Sequence, residues 1–152
     1  MKLILGFIKV PSKSEYGVIE RDNLDAECAF NQFVGKLLDD AQGMFRENAL
    51  YYQEDVILMP SIVFNCYAPV FAIYILSDNA ETDSDGASSF LHMIIELLQE
   101  NRLFASSKTV SLLLDTANIV SNRQNFYDAD IDIYSDFSEL YNKIVELEAR
   151  IK

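Results

Sequence analysis

From Val56 to Leu76 the chain reads VILMPSIVFNCYAPVFAIYIL, without one charged side chain. No other stretch constrains the fold as much, because so much continuous apolar surface has to be covered by something. About 20 apolar residues also suffice to cross a bilayer as a helix. Two features oppose a membrane span. Pro60 and Pro69 each remove a backbone donor, and Asn65 would sit near mid-membrane. The flanks are acidic, with Glu54 and Asp55 before the run and Asp78 and Glu81 after it, so no positive-inside signal anchors it. The Ile, Val, Phe and Tyr content suits strands. The run is therefore expected to form two strands, 56–66 and 70–77, turning at NCYAP. VFAIYIL, apolar on both faces, suits a central strand, and Pro60 marks an edge or a bulge.

The segments around it supply the other elements. Leu3 to Val10 is β-branched and aromatic, ends at Pro11, and reads as a first strand followed by a loop. Lys9 interrupts its apolar run and no small-residue cleavage site follows, so a strand is expected there rather than a signal peptide. From Asn23 the period changes. Phe30, Phe33, Val34, Leu37, Leu38, Ala41 and Phe45 recur at steps of three and four, one face of a long helix capped by Asn23 or Asp25, with Glu27, Lys36, Asp39 and Asp40 opposite. SSFLHMIIELLQEN gives a second amphipathic helix, with Asp85 or Ser88 as its cap. KTVSLLLDT suits a buried strand, although VSLLLDTANIV also has helical spacing; the strand is preferred. YDADIDIY alternates and reads as a strand or extended segment. Asp136 and Glu139 form a D-x-x-E capping box before a helix lined by Phe137, Leu140, Tyr141, Ile144, Val145 and Leu147. The expected order is β-α-β-β-α-β, then an acidic extended segment and a C-terminal helix. That is an α+β fold with helices packed on a mainly antiparallel sheet, in one domain spanning 1–152.

Charge narrows the function. Asp and Glu outnumber Lys and Arg by 24 to 12, giving a net charge of −12. Such a surface repels nucleic-acid phosphates and anionic membranes and favours basic proteins, whose approach it accelerates. The simpler cause is solubility, as in many acidic bacterial cytoplasmic proteins. The two cysteines, Cys28 and Cys66, lie in apolar settings and suit buried reduced thiols in the cytoplasm.

Catalytic signatures are missing. The five glycines never cluster, so neither a phosphate loop nor a dinucleotide fingerprint can form. One histidine, His92, and two separated cysteines do not make an ordinary structural zinc site. Glu81-x-Asp83-x-Asp85-Gly86 has the opening of a calcium loop, but its twelfth position is His92 where a bidentate Glu is needed. Its acids are better placed to favour a helix N-terminus. No cofactor, metal or catalytic residue is expected.

The sharper feature is NFYDADIDIYSDF. On a strand, Asp128, Asp130 and Asp132 would share one face about 6–7 Å apart. Like charges so placed cost stability unless water, a metal or a basic partner compensates. With Asp136, Tyr127 and Tyr134 they would form a docking strip, joined by Glu81, Asp83 and Asp85 of the acidic loop. Phe126 and Phe137 flank that strip. The expectation is a non-enzymatic, acidic protein-binding module of immunity type, neutralising a basic partner such as a nuclease toxin. The alternatives are a divalent-metal-dependent enzyme using the Asp128/Asp130/Asp132 row, and a self-associating structural subunit; a homodimer is left open.

Overall fold

The uncharged run is helical and not a hairpin: Val56 and Ile57 end one helix, and Ser61–Leu76 form the next. The computed structural model describes residues 24–103 and 105–151, with side chains from Ala29 onward. In chain order these form α1 (Leu24–Phe33), α2 (Leu38–Ile57), α3 (Ser61–Leu76), a 3-10 turn (Asp78–Ala80), α4 (Ser84–Gln99), α5 (Ser107–Ser121), the short α6 (Ile131–Tyr134) and α7 (Phe137–Ile151). No strand occurs among the described residues. The expected α+β fold with an antiparallel sheet is therefore overturned in favour of an all-helical one. The expected first strand, Leu3 to Val10, lies outside the described residues.

The reason is burial. α3 lies at the centre, packed against α2, α4 and α5, and Val63, Phe64 and every residue from Cys66 to Ile75 are buried. A helix covered on all sides is apolar all round, so the 3.6-residue period that would reveal it disappears. The prolines do not turn a hairpin. Pro60, in extended conformation (φ −62°, ψ 157°), precedes the helix, and its carbonyl accepts the bond from Phe64 N–H at 2.9 Å. Pro69 sits inside α3. An interior proline costs about 3 kcal/mol. Each large apolar side chain buried in full contributes about 1.5–3 kcal/mol, so a helix with this many of them carries the defect. α3 has 16 residues, and no helix among the described residues is long and apolar enough to cross a membrane.

Aromatic rings tie the first four helices together. Phe33 of α1 meets Phe45 of α2 at 5.9 Å, Phe45 stacks on Phe71 of α3 at 4.7 Å, and Phe71 meets Phe90 of α4 edge-on at 5.1 Å. The single long helix expected from Asn23 to Phe45 is two helices, α1 and α2. Gly35, at φ 71°, makes the break in a left-handed conformation that costs glycine nothing. The Tyr67 hydroxyl of α3 shares its one proton between the carbonyls of Phe33 and Lys36, at 3.0 and 2.9 Å, at the end of α1, where the Phe33 carbonyl also accepts from Lys36 N–H.

α4 and α7 stand where their amphipathic spacing places them, packed on each other. The cap of α4 differs from expectation. Asp83, not Asp85 or Ser88, accepts from Gly86 N–H at 2.8 Å. KTVSLLLDT belongs to α5, whose buried Thr109, Leu113, Thr116, Ala117 and Val120 follow a helical step under a Ser106 cap. YDADIDIY is likewise not a strand. It is a loop leading into α6, and its alternation reflects neither a pleat nor a sheet face.

Candidate functional site

Both acidic segments singled out in the sequence come to the same end of the molecule. The first joins α3 to α4 through the 3-10 turn and carries Glu81, Asp83 and Asp85. Thr82 takes φ 66°, unusual for a β-branched residue. Its N–H donates to the carbonyl of Phe126 in the second segment at 3.0 Å. Asp83 is held on both oxygens, by Gly86 N–H and by the Tyr74 hydroxyl at 2.6 Å. Burial, the bond to Asp83 and that carboxylate's charge raise the Tyr74 pKa above the ordinary tyrosine value, against the opposing charge of Arg46. Glu81 and Asp85 are exposed.

The second segment runs from the end of α5 through α6 to α7. Tyr127 anchors it. Its ring is fully buried and its hydroxyl donates to the Ile75 carbonyl at 2.7 Å. Burial pushes its pKa up to about 12, with the charge of Arg123 pulling the other way. Gln124 then brackets the segment. Its Nε2 donates to the carbonyls of Ala129 (3.0 Å) and Ser135 (2.9 Å), and its Oε1 accepts from Phe137 N–H at 2.9 Å. Asp128 (φ 54°) and Ser135 (φ 67°) turn the chain through left-handed conformations at either end of the bracketed stretch.

Tyr134 bolts the two segments together. Its hydroxyl donates to Asp85 Oδ1 at 2.7 Å and accepts from Ser84 Oγ at 3.1 Å. The Ser84 donor lowers the Tyr134 pKa. The Asp85 acceptor, slight desolvation and the charges of Asp85 and Asp83 together outweigh it, and the net shift is upward. Asp136 accepts from both the hydroxyl and the N–H of Ser138, at 2.7 and 2.9 Å, which holds its pKa below the usual carboxylate value.

Asp128, Asp130 and Asp132 are all exposed but do not form a ladder on one strand face. Asp130 caps α6, accepting from Asp132 N–H at 2.8 Å. Among the described residues, none of these carboxylates forms an ion pair, and no three His, Cys, Asp or Glu side chains converge as a metal site requires. Arg123, the nearest base in sequence, lies over the Phe126 ring at 3.9 Å from its centroid instead. His92 stands on the outer face of α4, with its pKa lowered by partial desolvation and then by the charge of Lys143.

The aromatic residues of the expected strip serve the scaffold. Tyr127 and Phe137 are fully buried, and Tyr134 spends its hydroxyl on the bridge. Within the second segment the exposed large apolar side chains are Ile131 and Ile133, 57% and 74% exposed, interleaved with the aspartates. Sequence reading missed that exchange because it assumed a pleat. It also missed Gln124, for which the sequence carries no signal. Beside this pole a groove of about 450 Å³ separates the Glu81–Asp85 loop from α2, where Asn48 breaks the helix (φ −160°, ψ 81°). Arg46, Glu47, Tyr74 and Asn79 line it too, so its walls carry both signs. No protein-family model, curated protein or solved structure matches the chain.

Proposed function

We propose that this chain is an acidic protein-docking module, of the kind that binds and neutralises a basic partner such as a nuclease toxin, in a reducing cytoplasm. One observation carries the reading: Glu81, Asp85, Asp128, Asp130 and Asp132 are exposed on two segments that Tyr134 and Thr82 hold together at one pole. Carboxylates concentrated in this way on a chain of net charge −12 give a field that steers a cationic protein toward that end. Steering of this kind raises association rates about 10- to 1000-fold and falls off with salt. The backbone beneath the charges is fixed by hydrogen bonds, so less ordering entropy is lost on docking.

The test is affinity capture from lysate of the source cells at low salt, followed by titration of the purified binder. The bait is the wild-type chain alongside a variant with Asp128→Lys, Asp130→Lys and Asp132→Lys. All three positions are exposed, but Asp130 caps α6 and Asp128 holds a left-handed backbone, so circular dichroism and a thermal melt check that the variant is folded before binding is compared. The expected result is a basic protein retained by the wild type and lost with the variant, bound more weakly as salt rises. A binder held equally by both, or no binder at all, contradicts the reading.

A further inference from the structure

At the end of α3 away from the acidic pole, the chain forms a cavity of about 340 Å³. The 16 residues of α3 put about 24 Å of helix between the two. The cavity floor is apolar: Ile57 from the end of α2, Met59 before α3, Phe64 from its first turn and Leu97 from the last turn of α4, all buried. Its rim is polar. Ser61 is exposed, and Arg102, from the chain linking α4 to α5, is half-buried. The walls are tied across long stretches of sequence. Arg102 donates to the Ile57 carbonyl at 2.7 Å, 45 residues away, and Ser106 N–H donates to Asn65 Oδ1 at 2.9 Å, 41 residues away. Preformed concave sites of roughly 300–1,000 Å³, with an apolar lining and a few placed polar groups, are where small molecules bind.

Charge selects the class of ligand. On a chain of net charge −12, the rim of this cavity carries a guanidinium. Besides the Ile57 carbonyl, Arg102 bonds Glu100 at 2.7 Å. Glu100 is exposed and the pair is solvated, so it holds the guanidinium weakly. The two bonds leave donors of the fork for a second oxyanion. The start of α3 adds to the preference. Pro60 stands at its cap position, no side chain caps it, and its first turn holds no acid, so the positive end of the helix is offset by no carboxylate there. The geometry points to a binding site for a small aliphatic carboxylate, its chain on Ile57, Met59, Phe64 and Leu97 and its carboxylate on Arg102. At about 30 Å³ for each water-sized group, the cavity holds about ten non-hydrogen atoms, the size of octanoate. An aliphatic amine of that length meets the wrong charge at the rim, and a short acid such as butyrate leaves the apolar floor wet. The site shares no residue with the acidic pole and does not depend on the docking reading.

The test titrates octanoate into the isotope-labelled full chain and follows backbone amides, with octylammonium and butyrate as controls. Octanoate should give saturable shifts around residues 57–64 and 97–102, with a Kd of about 1 mM or tighter for a ligand this small. Both controls should bind at least about tenfold more weakly. Arg102→Gln, which keeps a donor for the Ile57 carbonyl, should also weaken octanoate binding at least about tenfold. Glu100→Gln, at an exposed position, should tighten it, because the competing carboxylate is gone. Thermal melts check that each variant is folded, and Glu100→Gln decides if Arg102→Gln is not. Octanoate affinity unchanged or weakened by Glu100→Gln overturns the inference, as does unchanged affinity in a folded Arg102→Gln. Shifts that stay linear in octanoate or centre elsewhere, and equal binding of octylammonium or butyrate, overturn it as well. Shifts at this patch on raising protein concentration without ligand would make a second copy of the chain the occupant, with the same consequence.

Discussion

Replacing Gln124 with alanine removes three hydrogen bonds at once: the two that Nε2 donates to Ala129 and Ser135, and the one that Oε1 accepts from Phe137 N–H at the start of α7. A net intramolecular hydrogen bond contributes about 0.5–1.5 kcal/mol. The bonds to Ala129 and Phe137 are partly buried and the one to Ser135 is exposed, so water replaces that third partner readily. The expected loss is about 2 kcal/mol, below three full bonds but above one. In a chain of this size each kcal/mol moves the melting temperature by about 2–4 °C, so Tm should fall by about 4–8 °C. Urea unfolding followed by circular dichroism reads the loss as a lower midpoint at unchanged slope. Gln124→Glu separates the two roles. It keeps an acceptor for Phe137 but sets a carboxylate oxygen against two carbonyls, so it should be no more stable than the alanine variant. A loss under about 0.5 kcal/mol in both variants, within the range of an ordinary surface substitution, would refute the bracket.

Other substitutions probe the remainder of the framework. Phe71→Ala empties the fully buried junction between the Phe45 and Phe90 rings and should cost about 3–5 kcal/mol in urea unfolding; a loss under 2 kcal/mol would mean the ring chain is not central. Gly86→Ala and Gly43→Ala should differ in sign in parallel thermal melts. A Cβ at Gly86 collides with the Asp83 carboxylate and displaces the α4 cap, losing about 1 kcal/mol. A Cβ at the exposed Gly43 in α2 meets nothing and gains about 0.5–1 kcal/mol of helix propensity. In the alkaline range the neutral, buried Tyr127 is favoured by the folded state. Its stabilisation is complete below pH 10, where the unfolded residue is also protonated, and is lost as pH climbs toward its folded value of about 12. Tyr127→Phe should start less stable, through loss of the bond to Ile75, and show a flatter decline over that range.

The parts of the fold legible in the sequence were those with one wet face. α4 and α7 keep polar residues on a solvent side, so their spacing survives, and Asp136 marks where α7 begins. Beyond its first turn, α3 has no solvent side. Its composition matches a buried strand, and Pro60 and Pro69 fit a hairpin turn as readily as a helix start and an interior defect. What decided the matter was coverage by α2, α4 and α5, a property of the assembled chain rather than of the run. The acidic pole was legible as two separate segments. That they meet depends on Tyr134 reaching Asp85, 49 residues away in sequence. The alternation in DADIDIY mimicked a strand because a capping aspartate and a short helical turn happen to place charges at every second residue.

A protein contact at the acidic pole is measured most directly by amide chemical-shift mapping. The isotope-labelled chain is titrated with the purified binder and its amides are followed. Perturbations concentrated at residues 81–85 and 128–136, diminishing as salt is raised, are the expected result. Perturbations centred elsewhere, on the exposed faces of α1 and α2 for instance, with the pole unchanged, would contradict it.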